Sequence, residues 1–155
     1  KTIDRPVKEA YKIPYKVSFM SRIMKFSGLN NQKILRLFKK ESARFHQDRS
    51  VHEALQFSPS QTGCLKHHIL HRPYKDLAEY LAKSELYSDL AAKDFMANGK
   101  KLNWRHDWTP AWEFFRCYIL RLGFLDGFPG FAWAALSAYH RKMRYEKIRF
   151  LLSRP

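Results

Sequence analysis

Two stretches of this sequence combine residue types and spacings that suit chemistry. The compact apolar run Ile34-Leu35-Arg36-Leu37-Phe38 carries a single arginine, and a basic loop separates it from Val51-His52-Glu53. A carboxylate beside a histidine suits general-base work, because it can take the proton of a hydroxyl as that oxygen forms a bond. Taken alone, a His-Glu dipeptide is more often a solvated surface pair, so its context has to decide. Cys64 and Cys117 lie far apart in no paired motif. That disfavours a disulfide framework and fits a reducing cytoplasm, with each cysteine read as a small buried apolar residue.

The elements that would position these residues divide the chain into two unlike halves. Residues 10–17 alternate with a period near two, with Pro14 pointing to an edge or a strand end. Ser27-Gly28-Leu29-Asn30-Asn31 reads as a turn, residues 34–38 as a buried strand, and residues 63–69 as a second short strand. From Pro73 the pattern turns helical, through Leu77, Leu81, Leu90 and Phe95, until Asn98-Gly99 stops it. A basic, aromatic linker over residues 100–108 precedes Thr109-Pro110, read as an N-cap with proline at the first helical position. That helix runs to Gly123, and Asp126 is placed as the cap of a last helix that ends in a basic cluster.

Composition bounds the possibilities. A chain of 155 residues, 45% hydrophobic and 15% aromatic, can bury a core as one domain or as part of a larger one. Lys1 in place of methionine suggests a cropped or processed chain, and the N-terminal stretch has no signal-peptide pattern. No apolar run is long enough for a transmembrane helix. Twenty-nine Lys and Arg against fourteen Asp and Glu give a formal net charge of +15. Such a surplus points to a polyanionic partner: nucleic acid, phosphorylated glycan, nucleotide or anionic lipid.

In chain order, Ala10-Tyr11-x-Ile13-Pro14, Leu35-Arg36-Leu37-Phe38, Val51-His52-Glu53-Ala54-Leu55 and Tyr74-Lys75-Asp76-Leu77 form a recognisable set. Pro110-Ala111-Trp112-Glu113-Phe114 and the stretch from Tyr118 to Gly127 continue it. The set resembles family-2 glycosyltransferases of the lipopolysaccharide-core type, over nearly the whole chain. The resemblance implies a GT-A type α/β fold. Expected here are a few acceptor-side strands over residues 1–72, then a mainly helical, basic and aromatic extension over residues 73–155. It implies inverting sugar transfer from a nucleotide-sugar donor, assisted by Mg or Mn, to a lipid-linked or core oligosaccharide acceptor. By the same resemblance Glu53 is the general base and His52 orients it or touches the diphosphate. Arg36 and Arg44 face the substrate diphosphate, and His71 approaches the metal or packs at a strand end. His67 and His68 are expected on neighbouring faces of that strand without catalytic duty.

One departure from the family pattern matters. The metal and donor are held there by an Asp-x-Asp type motif, and this sequence contains none. A hard cation with a diphosphate wants carboxylate oxygens, so the chain is expected to be an acceptor-side fragment or degenerate copy, inactive without a donor-binding half.

The aromatic residues Trp104, Trp108, Trp112, Phe115 and Trp133, interleaved with Arg105, Arg116 and Arg121, suit the interface of an anionic bilayer or the packing of helices. A peripheral position on the inner face of the cytoplasmic membrane follows as an expectation. So does self-association through an open sheet edge. The alternative function is a basic nucleic-acid-binding or membrane-surface-binding module without catalysis. Nucleic acid is the less favoured partner, because no zinc spacing, RNA-binding sheet motif or helix-turn-helix is evident.

Overall fold

A computed structural model describes residues 7–30, 32–40, 44–45, 55–56 and 62–153 of the chain. It shows a mixed α/β arrangement: short strands around one long strand, then three helices. Strand β1 (Ala10–Phe19) is the centre of the sheet. It turns back into β2 (Arg22–Ile23) through Met20 and Ser21, both at positive φ, and pairs antiparallel with β3 (Gln32–Phe38). On its other side it pairs in parallel with β6 (Thr62–Cys64) and then β7 (Ile69–His71). A separate two-stranded ladder joins β4 (Arg44–Phe45) to β5 (Leu55–Gln56).

Pro14 lies inside this central strand rather than at its end or on an edge. The Lys12 carbonyl accepts from the Leu65 amide, so Lys12 and, two residues on, Pro14 direct their main-chain groups toward the β6/β7 side. Pairing on that side stops at Lys12–Cys64 and resumes at Tyr15–Ile69. Proline therefore occupies the position where no ladder N–H is required. The single strand expected over residues 63–69 is for the same reason two short ones flanking a bend, and exposed His67 and His68 lie in that connection, not on a strand. The run around Arg36 forms β3 as expected, but it is not buried. Among the described residues β3 is an edge strand, with Arg36 exposed and Ile34, Leu35, Leu37 and Phe38 half-buried.

Helix α1 (Leu77–Ala97) starts where Asp76 accepts from the Glu79 amide at 2.8 Å, and it stops at Asn98 with Gly99 at φ +61°. Its buried face is Tyr80, Ser84, Ser88, Ala92 and Phe95, a helical-period stripe of mostly small residues that lets α3 approach closely.

Helix α2 (Arg105–Phe115) begins four residues before the expected cap, so Pro110 sits inside it. The carbonyl that Pro110 cannot serve, that of His106, accepts instead from the Thr109 hydroxyl at 2.7 Å. A π-helical turn (Arg116–Leu120) and a 3-10 turn (Gly123–Asp126) lead to α3 (Phe128–Leu152). Gly127, not Asp126, stands at the start of α3. The Asp126 carboxylate is buried and turns back to accept from the amides of Lys25 and Phe26, each at 2.9 Å. The Ser27 amide donates to the Arg121 carbonyl at 2.9 Å. Two apolar clusters complete the packing: Val17, Met24 and Leu29 with Phe19 and Trp133, and Ala92, Phe95 and Ile148 with Leu102 and Tyr145.

Candidate functional site

His52 and Glu53 lie outside the described residues, as does the side chain of Arg44. The strands that bracket the segment in sequence, β4 and β5, pair Arg44 with Gln56 and Phe45 with Leu55. Arg36 is exposed on edge strand β3. His71 is exposed at the end of β7 and packs edge-on against Tyr15, with ring centroids 5.5 Å apart. No group of three or more His, Cys, Asp or Glu side chains able to hold a metal ion occurs among the described residues. Among the described residues the donor set does not fit a resident divalent cation.

The described part instead builds its polar architecture between the helices, around residues that the dipeptide motifs did not flag. Glu113 is buried on α2 and ion-pairs with Arg116 of the π-helical turn and, at 3.5 Å, with Arg141 of α3. Burial pushes its carboxyl upward, but the Arg116 hydrogen bond and the charges of Arg141 and Arg116 outweigh that and hold it below the ordinary glutamate value. Cys117 is buried against the same carboxylate, its sulfur 3.4 Å from the Glu113 oxygen, and burial followed by that negative charge raises its thiol. Cys64, by contrast, is exposed. His140 approaches the Ser88 hydroxyl at 3.4 Å; burial and the charges of Arg141 and Arg144 lower it, favouring the neutral ring.

Three cavities meet at Tyr74, just before α1. An apolar one of about 590 Å³ is bounded by Phe19, Met20, Leu77, Phe128 and Leu136. A polar one of about 440 Å³ is lined by Ser18, Ser21, Arg72, Lys75 and Glu79. A third, of about 340 Å³, lies between the helices beside Glu113, His140, Arg141 and Arg144. Tyr74 is held by edge-on contact with Tyr80 at 4.7 Å and by the Lys83 ammonium 5.4 Å from its ring centre. Burial raises the Tyr74 hydroxyl and carries that of Tyr80 up to about 12, so both remain protonated donors.

The outer face of α2 and the following turns is apolar. Trp104 and Trp108 are 69% and 67% exposed, and Trp112, Phe115 and Ile119 continue the helical-period stripe. Leu120, Leu125 and Phe128 extend the exposed apolar surface, with exposed Arg105 and Arg121 in the same segment. Trp133 behaves differently, packing against Phe19, Tyr74 and Tyr80. No helix among the described residues is long and apolar enough to cross a membrane.

Comparison with known proteins finds sequence likeness to proteins named uncharacterized glycosyltransferases. A Rickettsia felis protein named an uncharacterized glycosyltransferase is 30% identical over 125 residues, covering 76% of this chain and 44% of the relative. A Rickettsia prowazekii protein of the same description is 30% identical over 134 residues, 81% of this chain and 45% of the relative. A Rickettsia bellii counterpart is 30% identical over 127 residues, 77% and 43% respectively. The chain thus spans less than half the length of the curated relatives it matches. No family model matches the chain. No solved structure matches it either. The glycosyltransferase likeness carried by the motifs is supported at that level by these relatives.

Proposed function

We propose that this chain is the acceptor-side, C-terminal portion of an inverting, nucleotide-sugar-dependent glycosyltransferase of the GT-A type, acting on lipopolysaccharide core or a similar envelope glycan. The observation that carries the proposal is the pairing of 30% identity across about three-quarters of the chain with coverage of less than half of each relative. In this reading Glu53 takes the proton of the acceptor hydroxyl while that oxygen attacks the anomeric carbon and the nucleoside diphosphate leaves from the opposite face. His52 orients the carboxylate. Arg36 and Arg44 pair with the diphosphate, and exposed Arg36 is free to reach a ligand. His71 stands near the metal or the diphosphate. The metal-binding carboxylates and the nucleotide pocket belong to the remainder of the whole enzyme, and the chain alone does not catalyse transfer.

The apolar stripe of Trp104, Trp108 and Trp112, with basic residues around it, supports docking on an anionic membrane surface, which would bring the site to a lipid-linked acceptor. In this reading the enzyme is cytoplasmic and peripheral on the inner face of the cytoplasmic membrane. Among the described residues β3 pairs on one side only, which supports self-association through that edge.

The deciding experiment measures transfer from a panel of nucleotide sugars with magnesium or manganese, using the chain alone and with the upstream region restored. Transfer by the restored enzyme alone, lost in Glu53→Gln, is the expected result. An inert restored enzyme together with salt-sensitive nucleic-acid binding by this chain would instead identify a non-catalytic basic module.

A further inference from the structure

We propose that the cavity between α1, α2 and α3 binds a compact phosphorylated ligand, anchored by Arg144. The inference does not rest on the glycosyltransferase reading. The cavity, about 340 Å³, falls within the size range of small-molecule sites. Its charge balance is unequal. Arg141 and Arg144 line it with one carboxylate, Glu113, and that carboxylate is already shared by Arg141 and Arg116. Arg144 has no ion pair among the described residues, and its Nε is buried without a hydrogen-bond partner. A buried guanidinium nitrogen with no acceptor is a rare arrangement, and among the described residues it leaves Arg144 without a protein carboxylate to compete with a ligand anion for its charge.

The rest of the lining selects the kind of anion. Tyr74, Tyr87, Ser84 and Ser137 bring hydroxyls to the cavity, and Trp133 supplies an apolar wall. With the neutral ring favoured for His140, the positive charge of the cavity rests on the two arginines. A planar guanidinium fork with several hydroxyl donors suits a group bearing three or four oxygens better than a halide. The apolar wall leaves room for a sugar attached to the phosphoryl group.

The test titrates the full chain with orthophosphate and with glucose 1-phosphate, at ionic strength held constant with sodium chloride. It reads unfolding temperature and phosphorus-31 line width. Both ligands are expected to raise the unfolding temperature and broaden the resonance, with about tenfold weaker binding in Arg144→Gln and partial retention in Arg144→Lys. Arg149→Gln, on the exposed part of α3, serves as the charge control and should bind as the unaltered chain does. If Arg144→Gln fails to fold, Tyr87→Phe and Ser137→Ala together keep the guanidinium and should still weaken binding. Tighter binding of glucose 1-phosphate supports a sugar phosphate; equal binding supports recognition of the phosphoryl group alone. The proposal is overturned if sodium chloride gives the same stabilisation, if Arg149→Gln loses as much as Arg144→Gln, or if none of the cavity variants changes binding.

Discussion

The sheet and the helices of this chain treat polar residues in opposite ways. In the sheet the ionisable side chains singled out by sequence stay at edges: Arg36 on β3 and His71 at the end of β7 are both exposed. In the helical part charged and polar groups go inside, where Glu113, His140 and Asp126 are each tied to partners from another element. Edge residues are free to meet a substrate, whereas interior ones fix how elements meet. A motif scan favours the first kind, because adjacent residues make a motif while a tertiary network joins residues far apart in sequence.

Asp126 offers the strongest way to break the contrast, since one carboxylate ties the β1–β2 region to the turn before α3. Asp126→Ala strands two part-buried amides and is expected to cost about 2–3 kcal/mol, measured as a shift in the urea midpoint. Asp126→Asn keeps one acceptor oxygen and should lose about half as much. Next comes Gly130, where an added Cβ would stand 1.9 Å from the Gly123 carbonyl oxygen. Gly130→Ala should cost about 2 kcal/mol through overpacking. Gly99→Ala meets nothing within 4 Å and should cost about 1 kcal/mol, from its positive φ alone.

Glu113→Gln probes the interior network more gently. It leaves two arginines with a weaker acceptor and should cost about 1–2 kcal/mol at neutral pH. Because the folded-state value of Glu113 lies below its unfolded value near 4.5, its contribution is present above that pH and is lost as pH falls toward the depressed folded value. The variant should therefore show a shallower acid limb between those values in thermal melts across pH. His140 adds a loss of the same sign at higher pH, beginning as acidification passes its unfolded value near 6.5, and His140→Gln should remove it.

The smallest stability effect is expected on the outer face of α2. Trp108→Ser with Trp112→Ser should change stability by no more than about 0.5 kcal/mol per site, because both rings are exposed. Sedimentation with anionic vesicles should fall sharply in the same double variant, and unchanged sedimentation would remove this face as the docking surface.

Local signals were legible where the chain itself sets the structure. The β1 pattern, the turn at Ser27-Gly28 and the stop of α1 at Asn98-Gly99 are all found where residue type predicts them. Beyond Pro14 and the split strand over residues 63–69, three more features differ from their local reading for identifiable reasons. Thr109-Pro110 has the composition of a helix start, but the Thr109 hydroxyl supplies the donor that Pro110 lacks, and the helix continues through it. Asp126 looks like a cap because it precedes a helix, yet its carboxylate is taken by amides a hundred residues earlier. The apolar run around Arg36 suggests burial, but among the described residues β3 is paired on one side only and its residues are half-buried or exposed.

The sequence by itself determined the charge surplus, the division into strand-forming and helix-forming halves, and the likeness to proteins named glycosyltransferases. Those properties depend on composition and on neighbours a few residues apart. Tertiary structure alone decided that Glu113 binds Arg141, that Trp133 is covered while Trp104 and Trp108 are not, and that a cavity forms beside Arg144. The reason is physical: which face of a helix is buried, and which polar group finds a partner, depends on surfaces brought together from distant parts of the chain.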